Sequence, residues 1–304
     1  MTAPACFISP LVITAAMITS STAVTKLPGE LDWVATGDYV LGQVVYRPML
    51  GRRYENLKPG VNSSPPEDAL DRWYDLGDTS KTSMFDDSPA TQSIAPGTLT
   101  QVFRPGAFNA LYLAGLDGQA LSVTVKDQPG GTEVFKYSGS LEKSEASDWW
   151  EHFFSPLRPR TDFMATEITP YASCEVTITV VNTGGVARCG IASLGDLVDL
   201  GGKVESGARV KARTLSRIDS DSRGKPTKQQ GRNARDLSFT VTVPLDIAET
   251  IADALDDVMD VSCAVMGTDS DSLRVLRTFG LIGYELTLKA TEAVFNLSVQ
   301  GTNV

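Results

Sequence analysis

Between Thr98 and Leu194 the chain repeatedly alternates short runs rich in β-branched and aromatic residues with glycine- and proline-containing turns. Proline fixes φ and glycine accepts φ values that other residues avoid, so these pairs favour tight turns. The turn signals are Pro105-Gly106, Asp117-Gly118, Pro129-Gly130-Gly131 and Thr183-Gly184-Gly185. The spacing is typical of an antiparallel β-sandwich. The predicted strands are Thr98–Phe103, Ala107–Leu113, Leu121–Lys126, Glu133–Tyr137, Phe163–Ile168, Cys174–Val181 and Val186–Leu194.

Beyond Gly201-Gly202 the pattern changes and includes a helix. Leu237–Val243 alternates as a strand, and Pro244 ends it. Asp246–Asp260 is the predicted helix, with an apolar stripe on one side and a purely acidic face on the other. The stripe is Ile247, Ile251, Leu255 and Val258, and the acidic face is Glu249, Asp253, Asp256, Asp257 and Asp260. Further strands are predicted at Val261–Met266, Leu273–Phe279, Leu281–Leu288 and Ala293–Val299. The predicted fold class is therefore mainly β, with antiparallel sandwiches and one helix.

The segment Lys211–Arg235, which precedes this helix, is the only strongly basic segment of an acidic chain. Its net charge is +6, which leaves −16 for the rest of the chain. Its middle contains no apolar residue, so we expect a hairpin tip or a flexible loop. The alternatives are a solvated loop and a contact arm that reaches an acidic neighbour. The basic residues are Lys211, Arg213, Arg217, Arg223, Lys225, Lys228, Arg232 and Arg235.

The segment Leu31–Gly77 is unusually dense in aromatic residues and glycine. A hairpin is predicted from Gly42–Tyr46 to Arg52–Glu55, and Pro65-Pro66 returns the chain toward its start. A unit this small buries little beyond its own rings. Its rings are therefore either its core or an exposed platform for sugar. The candidate carbohydrate-binding rings are Trp33, Tyr39, Tyr46, Tyr54 and Trp73.

A second aromatic cluster, Asp148–Phe154, lies between two predicted strands of the sandwich. Trp149 and Trp150 either plug the open end of the sandwich or form a further sugar platform. His152 has no serine or cysteine motif that it could activate. Asp148 and Glu151 would be the best pair for glycoside hydrolysis, which requires only two carboxyl groups. With no sequence motif for a hydrolase, nucleotide site or metalloprotease, we predict no enzymatic activity.

Charge and cysteine content restrict the partners. A net charge of −10 argues against nucleic acid as the main partner. The four cysteines have no Cys-x-x-Cys spacing and there is one histidine, so neither a metal nor another cofactor is predicted. Cys174 and Cys189 could face each other across a hairpin, but free buried thiols are favoured. No apolar run is long enough to span a bilayer.

The first 25 residues contain no charged side chain. A secretory signal would need a basic start, and Pro4 and Pro10 interrupt the apolar run. We expect this segment to be an ordered arm that lies either against its own chain or against a neighbouring subunit, and we favour the subunit interface.

Three parts of the chain resemble known families. The pattern Trp33…Tyr39…Gly42…Tyr46…Trp73 resembles small chitin- and cellulose-binding modules, and similar segments occur in tail proteins of long-tailed bacteriophages. The sandwich resembles the jelly-roll domains used as carbohydrate-binding or adaptor domains. From Lys211 to Gly301 the order of a long basic hairpin, a strand, a helix and a small sheet resembles the tail-tube fold of phage tail-tube, distal tail and baseplate proteins.

These resemblances imply a domain order and a function. The expected units are an arm (1–30), an aromatic module (31–77), a jelly-roll-like sandwich (78–200) and a tail-tube-like ring domain (201–304). The implied protein is a non-enzymatic virion component of the tail tip or baseplate, assembled in the host cytoplasm. It would form a ring, hexameric or trimer-based, that contacts the tail tube and other tail-tip proteins. The alternative is a glycan-binding adhesin that contacts the host surface.

In such a ring, basic residues of one copy would contact the acidic helix face of another. The resemblance places the hairpin where that family has a loop reaching the adjacent ring. The expected interface residues are Arg217, Arg223, Lys225, Lys228, Arg232, Arg235, Asp253, Asp256 and Asp257.

Overall fold

The computed structural model describes residues 5–26, 29–86, 91–141, 159–202, 204–205, 207–214, 216–220, 226–229, 233–268 and 271–302, with the backbone alone for 217–220, 226–229 and 271–273. The strands of the described residues, in chain order, are β1 (Cys6–Pro10), β2 (Ile18–Ser21), β3 (Leu31–Asp32), β4 (Asp38–Tyr39), β5 (Val44–Arg47), β6 (Arg52–Asn56), β7 (Gly60–Val61), β8 (Trp73–Asp78), β9 (Ser93–Phe103), β10 (Ala110–Ala114), β11 (Ala120–Lys126), β12 (Glu133–Ser140), β13 (Asp162–Ala165), β14 (Glu175–Cys189), β15 (Ile191–Asp199), β16 (Arg209–Thr214), β17 (Arg217–Ser220), β18 (Pro226–Gln229), β19 (Asn233–Pro244), β20 (Cys263–Met266), β21 (Arg277–Leu288) and β22 (Glu292–Gly301).

Helical structure is sparse. The described residues contain one α-helix, α1 (Leu245–Asp256), and short 3-10 turns at Ala15–Met17, Pro66–Asp68, Ser83–Phe85 and Asp271–Leu276. The sheets are antiparallel apart from the short β3–β5 pair. The predicted fold class, mainly β with antiparallel sheets and one helix, is confirmed.

Two large sheets form the sandwich. One has nine strands in the spatial order β13-β10-β15-β1-β20-β21-β22-β19-β16, and the other has five in the order β12-β11-β14-β9-β2. Alternate residues of each strand point to one face, so Leu111 and Leu113 of β10 pack with Val176 and Ile178 of β14. The five-stranded sheet thus covers the β13-β10-β15 part of the larger sheet.

The N-terminal segment is a central strand. β1 pairs with β15 on one side and with β20 on the other. Phe7 and Ile8 are fully buried, one on each face of the sheet. For residues 5–10, the favoured expectation of an arm that lies against a neighbouring subunit is therefore wrong, because these residues lie within the sheet of their own chain. Their lack of charge reflects burial within this chain.

The nine-stranded sheet also crosses the predicted domain boundary at residues 200 and 201. β10, β13 and β15 come from the predicted sandwich, whereas β16 and β19 to β22 come from the predicted ring domain. β1 joins the two groups through main-chain hydrogen bonds. The two predicted units therefore share one sheet, because a strand far away in sequence fills the gap between them.

The helix packs as its apolar periodicity predicts. Ala248, Ile251 and Leu255 are buried, and Val258 just beyond the helix is buried with them. They contact one face of β19 to β22, where Phe239 and Phe295 belong to the same core. The helix therefore covers the outer face of this half of the nine-stranded sheet.

The opposite face of the nine-stranded sheet is concave. Ile8, Tyr112, Ala264 and Phe279 are buried there although none of the sheets formed by the described residues covers them. In a flat sheet, β10 and β19 would lie roughly 28–29 Å apart, because six strand spacings separate them. Residues of both strands nevertheless line one cavity. The sheet therefore curls into a half-barrel.

Two predicted strand boundaries are wrong. Thr183-Gly184-Gly185 is not a hairpin turn, because β14 runs through it and its register with β9 shifts between Val181 and Val186. The chain does not reverse at Gly190 either: there it passes from β14 in the five-stranded sheet to β15 in the nine-stranded sheet, and its antiparallel pairing with the β10–β11 segment continues through Asp117↔Arg188. The predicted strand Leu273–Phe279 begins as the 3-10 turn Asp271–Leu276. All four cysteines are buried thiols with no disulfide between them, as predicted.

Candidate functional site

The aromatic module folds around its own rings. β3, β5, β6 and β8 form a four-stranded sheet, and β5 and β6 are the predicted hairpin. Tyr39, Tyr54 and Trp73 are 1–2% exposed and form the centre of the module together with Val45. The ring centroids of Tyr39 and Trp73 lie 5.2 Å apart in an edge-to-face arrangement. The Tyr39 hydroxyl donates to the Val34 carbonyl at 3.0 Å and accepts from the Val34 amide at 2.7 Å.

Trp33 lies at the margin of this core and is covered by an arginine. The guanidinium carbon of Arg47 lies 4.5 Å from the centroid of the Trp33 ring. Nε and Nη2 of Arg47 also donate to the Glu67 carboxylate, at 3.1 and 2.5 Å. This double hydrogen bond holds the guanidinium over the ring.

In this arrangement, the rings predicted to form a sugar platform are not available for stacking on a sugar. Tyr39, Tyr46, Tyr54 and Trp73 are buried, and Arg47 stacks on Trp33. Stacking on a sugar requires an exposed ring face. The expectation of a sugar platform is therefore corrected: Tyr39, Tyr46, Tyr54 and Trp73 are core residues of the module, and Arg47 covers Trp33. The exposed aromatic ring of the module is that of Tyr74, which is 59% exposed. Trp149, Trp150 and the Asp148–Phe154 cluster lie outside the described residues.

The acidic face of the helix is open. Asp246, Glu249, Asp253, Asp256, Asp257 and Asp260 are exposed. The described residues give these carboxylates no ion pair, although Asp256 accepts a hydrogen bond from the Tyr284 hydroxyl at 2.7 Å. Carboxylates near the C-terminal end of a helix are opposed by the helix dipole. This face therefore concentrates negative charge without internal compensation among the described residues.

The basic hairpin is separate from the large sheets. β17 and β18 pair with each other from Arg217↔Gln229 to Ser220↔Pro226, and they form their own two-stranded sheet. The hairpin predicted within Lys211–Arg235 is thus present as backbone. Arg223, Lys225 and Arg232 lie outside the described residues, and only the backbone of Arg217 and Lys228 is described. The remaining predicted interface residue of this segment, Arg235, lines the concave cavity.

That cavity has a volume of about 860 Å³ and is rich in arginine. Its charged lining comes from elements that are distant in sequence: Asp162 of β13, Arg213 of β16, Arg235 of β19, Arg274 of the 3-10 turn and Arg277 of β21. Tyr112 of β10 lies among them and is 4% exposed. Burial raises the pKa of the Tyr112 hydroxyl, Asp162 raises it further, and Arg277 and Arg235 act in the opposite direction.

Sequence reasoning missed this cavity. Arg213 and Arg235 were included only in the basic segment, and Arg274 and Arg277 lie in a region predicted to be an ordinary strand. A weak signal exists, because Arg274 and Arg277 lie close together in an acidic chain. Nothing in the sequence indicates that Tyr112 and Asp162 would lie opposite them, since that depends on the curl of the sheet.

Comparison of the chain with protein-family models, with curated proteins and with solved structures found no match. None of the helices among the described residues has the length and hydropathy needed to cross a membrane. Within the same residues, no group of histidine, cysteine, aspartate or glutamate side chains could hold a metal ion.

Proposed function

We propose that this protein is a non-enzymatic structural component of a phage tail tip or baseplate, and that it assembles with copies of itself into a ring. The observation that carries the proposal is the exposed acidic face of α1 on a chain that also bears a separate basic hairpin. The carboxylates of α1 form no ion pair with any described residue; such a cluster of negative charge is unfavourable, and a basic neighbour would relieve it.

Complementary surfaces on one chain favour a particular symmetry. When a patch of one copy contacts a different patch of the next and the reverse contact does not form between the same two copies, the contact is head-to-tail, and it produces a closed ring or an open filament. The helix supplies the acidic patch, and the hairpin β17–β18 supplies the basic one. Tail-tube and tail-tip proteins are assemblies of this kind, and the order of hairpin, strand and helix is also theirs.

The proposal does not require the aromatic module as a glycan receptor. Its rings are used for internal packing, so host-surface binding through them has no structural support. The module is attached to the large sheets through the segment that follows it: the Thr79 amide donates to the Gly51 carbonyl of the module at 2.7 Å, and the Ile94 amide of β9 donates to the Ser80 hydroxyl at 2.6 Å. We infer that it decorates the ring without holding it together.

Charge reversal tests the assembly. Arg223→Glu, Lys225→Glu and Lys228→Glu together should convert the oligomer into monomers in sedimentation velocity and abolish rings in negative-stain micrographs. Combining this triple change with Asp253→Lys, Asp256→Lys and Asp257→Lys should restore rings, because the contact is then formed with inverted charges.

The matched control reverses the charge of two lysines on the five-stranded sheet, Lys126 and Lys136, and should leave assembly unchanged. A wild-type protein that stays monomeric at high concentration would contradict the proposal. A triple variant that assembles as well as the wild type would contradict the assigned contact.

A further inference from the structure

The concave cavity of the half-barrel has the size and charge of a ligand site. Small-molecule sites enclose roughly 300–1,000 Å³, and this cavity encloses about 860 Å³. Four arginines and one aspartate contribute its charged lining. The cavity lining is therefore positively charged, although the whole chain has a net charge of −10.

The arginines are held in place by different partners. Nη2 of Arg213 donates to the Gly301 carbonyl at 3.1 Å, and its Nε lies 3.2 Å from Oδ1 of Asp236. Nη1 of Arg274 lies 3.6 Å from Oδ1 of Asp162. Arg277 is only 9% exposed. Fixed guanidinium groups lose little conformational entropy when they bind an anion, so the cavity is preorganised.

Arg235 is the exception. Its side chain is exposed, and the described residues give it no ion pair. The residue is nevertheless firmly positioned, because its carbonyl accepts a hydrogen bond from the Thr278 hydroxyl at 3.1 Å and lies against Gly301. Its side chain therefore extends from a rigid part of the sheet, and the hydrogen-bond donors of its guanidinium are available to a ligand.

Tyr112 also lines the cavity. It belongs to one buried cluster with Ala114 and Phe279, which line the cavity as well. Because burial keeps this phenol protonated, Tyr112 can donate a hydrogen bond to an acceptor in the cavity. Guanidinium groups and a phenol that line one cavity suit a ligand with several oxygen acceptors.

We propose that the cavity binds a small molecule that carries two or more oxyanion groups, either phosphates or carboxylates. A guanidinium matches the two oxygens of a phosphate or carboxylate with two parallel hydrogen bonds. A single phosphate would fill only part of the volume, whereas a ligand with several anionic groups reaches arginines on β16, β19 and β21 together. Arg235, one of the residues expected at the subunit interface, lines this cavity. The site is otherwise independent of the proposed ring contact, since it uses neither the hairpin tip nor the helix.

Isothermal titration calorimetry with tripolyphosphate and with citrate, each at about 0.1 M salt, tests the site and separates the two chemistries. At least one of the two should bind saturably with one site per chain. Tighter binding of tripolyphosphate would assign the site to phosphates, and tighter binding of citrate to carboxylates. Orthophosphate, with a single anionic group, should bind more weakly than the better of the two.

Arg235→Gln should weaken the binding of the preferred ligand by about tenfold or more, because one charge-assisted contact is lost. Arg235→Lys should give an intermediate affinity, since lysine keeps the positive charge but cannot form the two parallel hydrogen bonds of a guanidinium. Arg188→Gln is the matched control: this arginine lies on β14 and pairs with Asp117, away from the cavity, and its loss should leave binding unchanged.

Circular dichroism on each variant ensures that only folded protein is compared. The proposal is overturned if neither ligand binds the wild type saturably, or if Arg235→Gln binds as tightly as the wild type. It is also overturned if Arg188→Gln weakens binding as much as Arg235→Gln does. The ring proposal would survive each of these results, because oligomer formation is measured separately.

Discussion

At the scale of single residues, the Arg47–Glu67 pair shows how the small aromatic module is stabilised. Arg47 stacks on Trp33 and donates twice to Glu67, so one side chain connects β5 to the Pro66–Asp68 turn. Burial by itself would raise the Glu67 pKa, but hydrogen bonds from Arg47 and from the backbone outweigh it and hold the pKa below its ordinary value of 4.5.

Because the Glu67 pKa is lowered in the folded state, the stability of the module should fall as the pH falls. The pair stabilises the module above pH 4.5, and this stabilisation is lost as the pH falls through the folded-state pKa of Glu67. Glu67→Gln should therefore lower the free energy of unfolding at pH 7 by about 1–2 kcal/mol. The same change should reduce the acid sensitivity of the module, measured by tryptophan fluorescence during urea unfolding at several pH values.

Asp68→Asn, on the exposed neighbour of Glu67, serves as the control and should leave both quantities close to the wild type. If Glu67→Gln keeps the full acid sensitivity of the wild type, another carboxylate is responsible for it.

At the scale of elements, the pairing of β21 with β22 depends on glycines that no pattern singled out. A Cβ atom at Gly280 would collide with the Gln300 carbonyl and lie 2.9 Å from the Gly301 Cα. At Gly283, on the same strand, the nearest atom would be the Ser298 Oγ at 3.3 Å. At Gly280 the added methyl group would meet the backbone of β22, whereas at Gly283 the nearest atom belongs to a side chain. The same substitution should therefore cost more stability at Gly280.

Gly280→Ala should destabilise the protein by about 1–3 kcal/mol, because the two strands must separate to admit the methyl group. Gly283→Ala, the matched control, should stay within about 1 kcal/mol of the wild type, since a serine side chain can rotate away. Urea unfolding curves of both variants give the comparison. Equal stability of the two variants would mean that β21 and β22 do not approach each other as closely as the structure has them.

At the scale of the whole molecule, β1 connects the two halves of the nine-stranded sheet. It supplies hydrogen bonds to β15 and to β20, and its Phe7 and Ile8 side chains are 0% exposed. Burying each of these side chains contributes roughly 1.5–3 kcal/mol, apart from the hydrogen bonds of the strand. The half-barrel, and with it the arginine-lined cavity, therefore depends on residues far away in the sequence.

Deleting residues 1–10 should abolish cooperative unfolding of the two halves. The wild type should melt in one transition by differential scanning calorimetry, whereas the truncated chain should melt in separate, lower transitions or precipitate. Val12→Ser, at a position that is 82% exposed, controls for changes near the N-terminus and should melt like the wild type. A truncated chain with the melting temperature of the wild type would show that β1 is dispensable.

The sequence by itself determined the local structure. Alternating apolar residues specified strands such as Leu237–Val243, and the stripe through Ile251 and Leu255 specified the helix. The spacing of the cysteines indicated buried thiols without disulfides. These features depend on periodicity and residue type, which a single segment carries. The strand boundaries were less predictable, because Gly184-Gly185 suits a bulge as well as a turn.

The tertiary structure decided where these elements meet. Burial made Tyr39, Tyr54 and Trp73 core residues of the module, although the same rings at the same spacing could have faced solvent. Pairing across the sheet placed β1 between β15 and β20, and curling brought Tyr112 and Asp162 toward Arg235 and Arg277. Strand order and curvature arise from contacts between distant segments, so no local pattern encodes them. The candidate anion site consequently follows from the curled sheet and could not be predicted from any one motif.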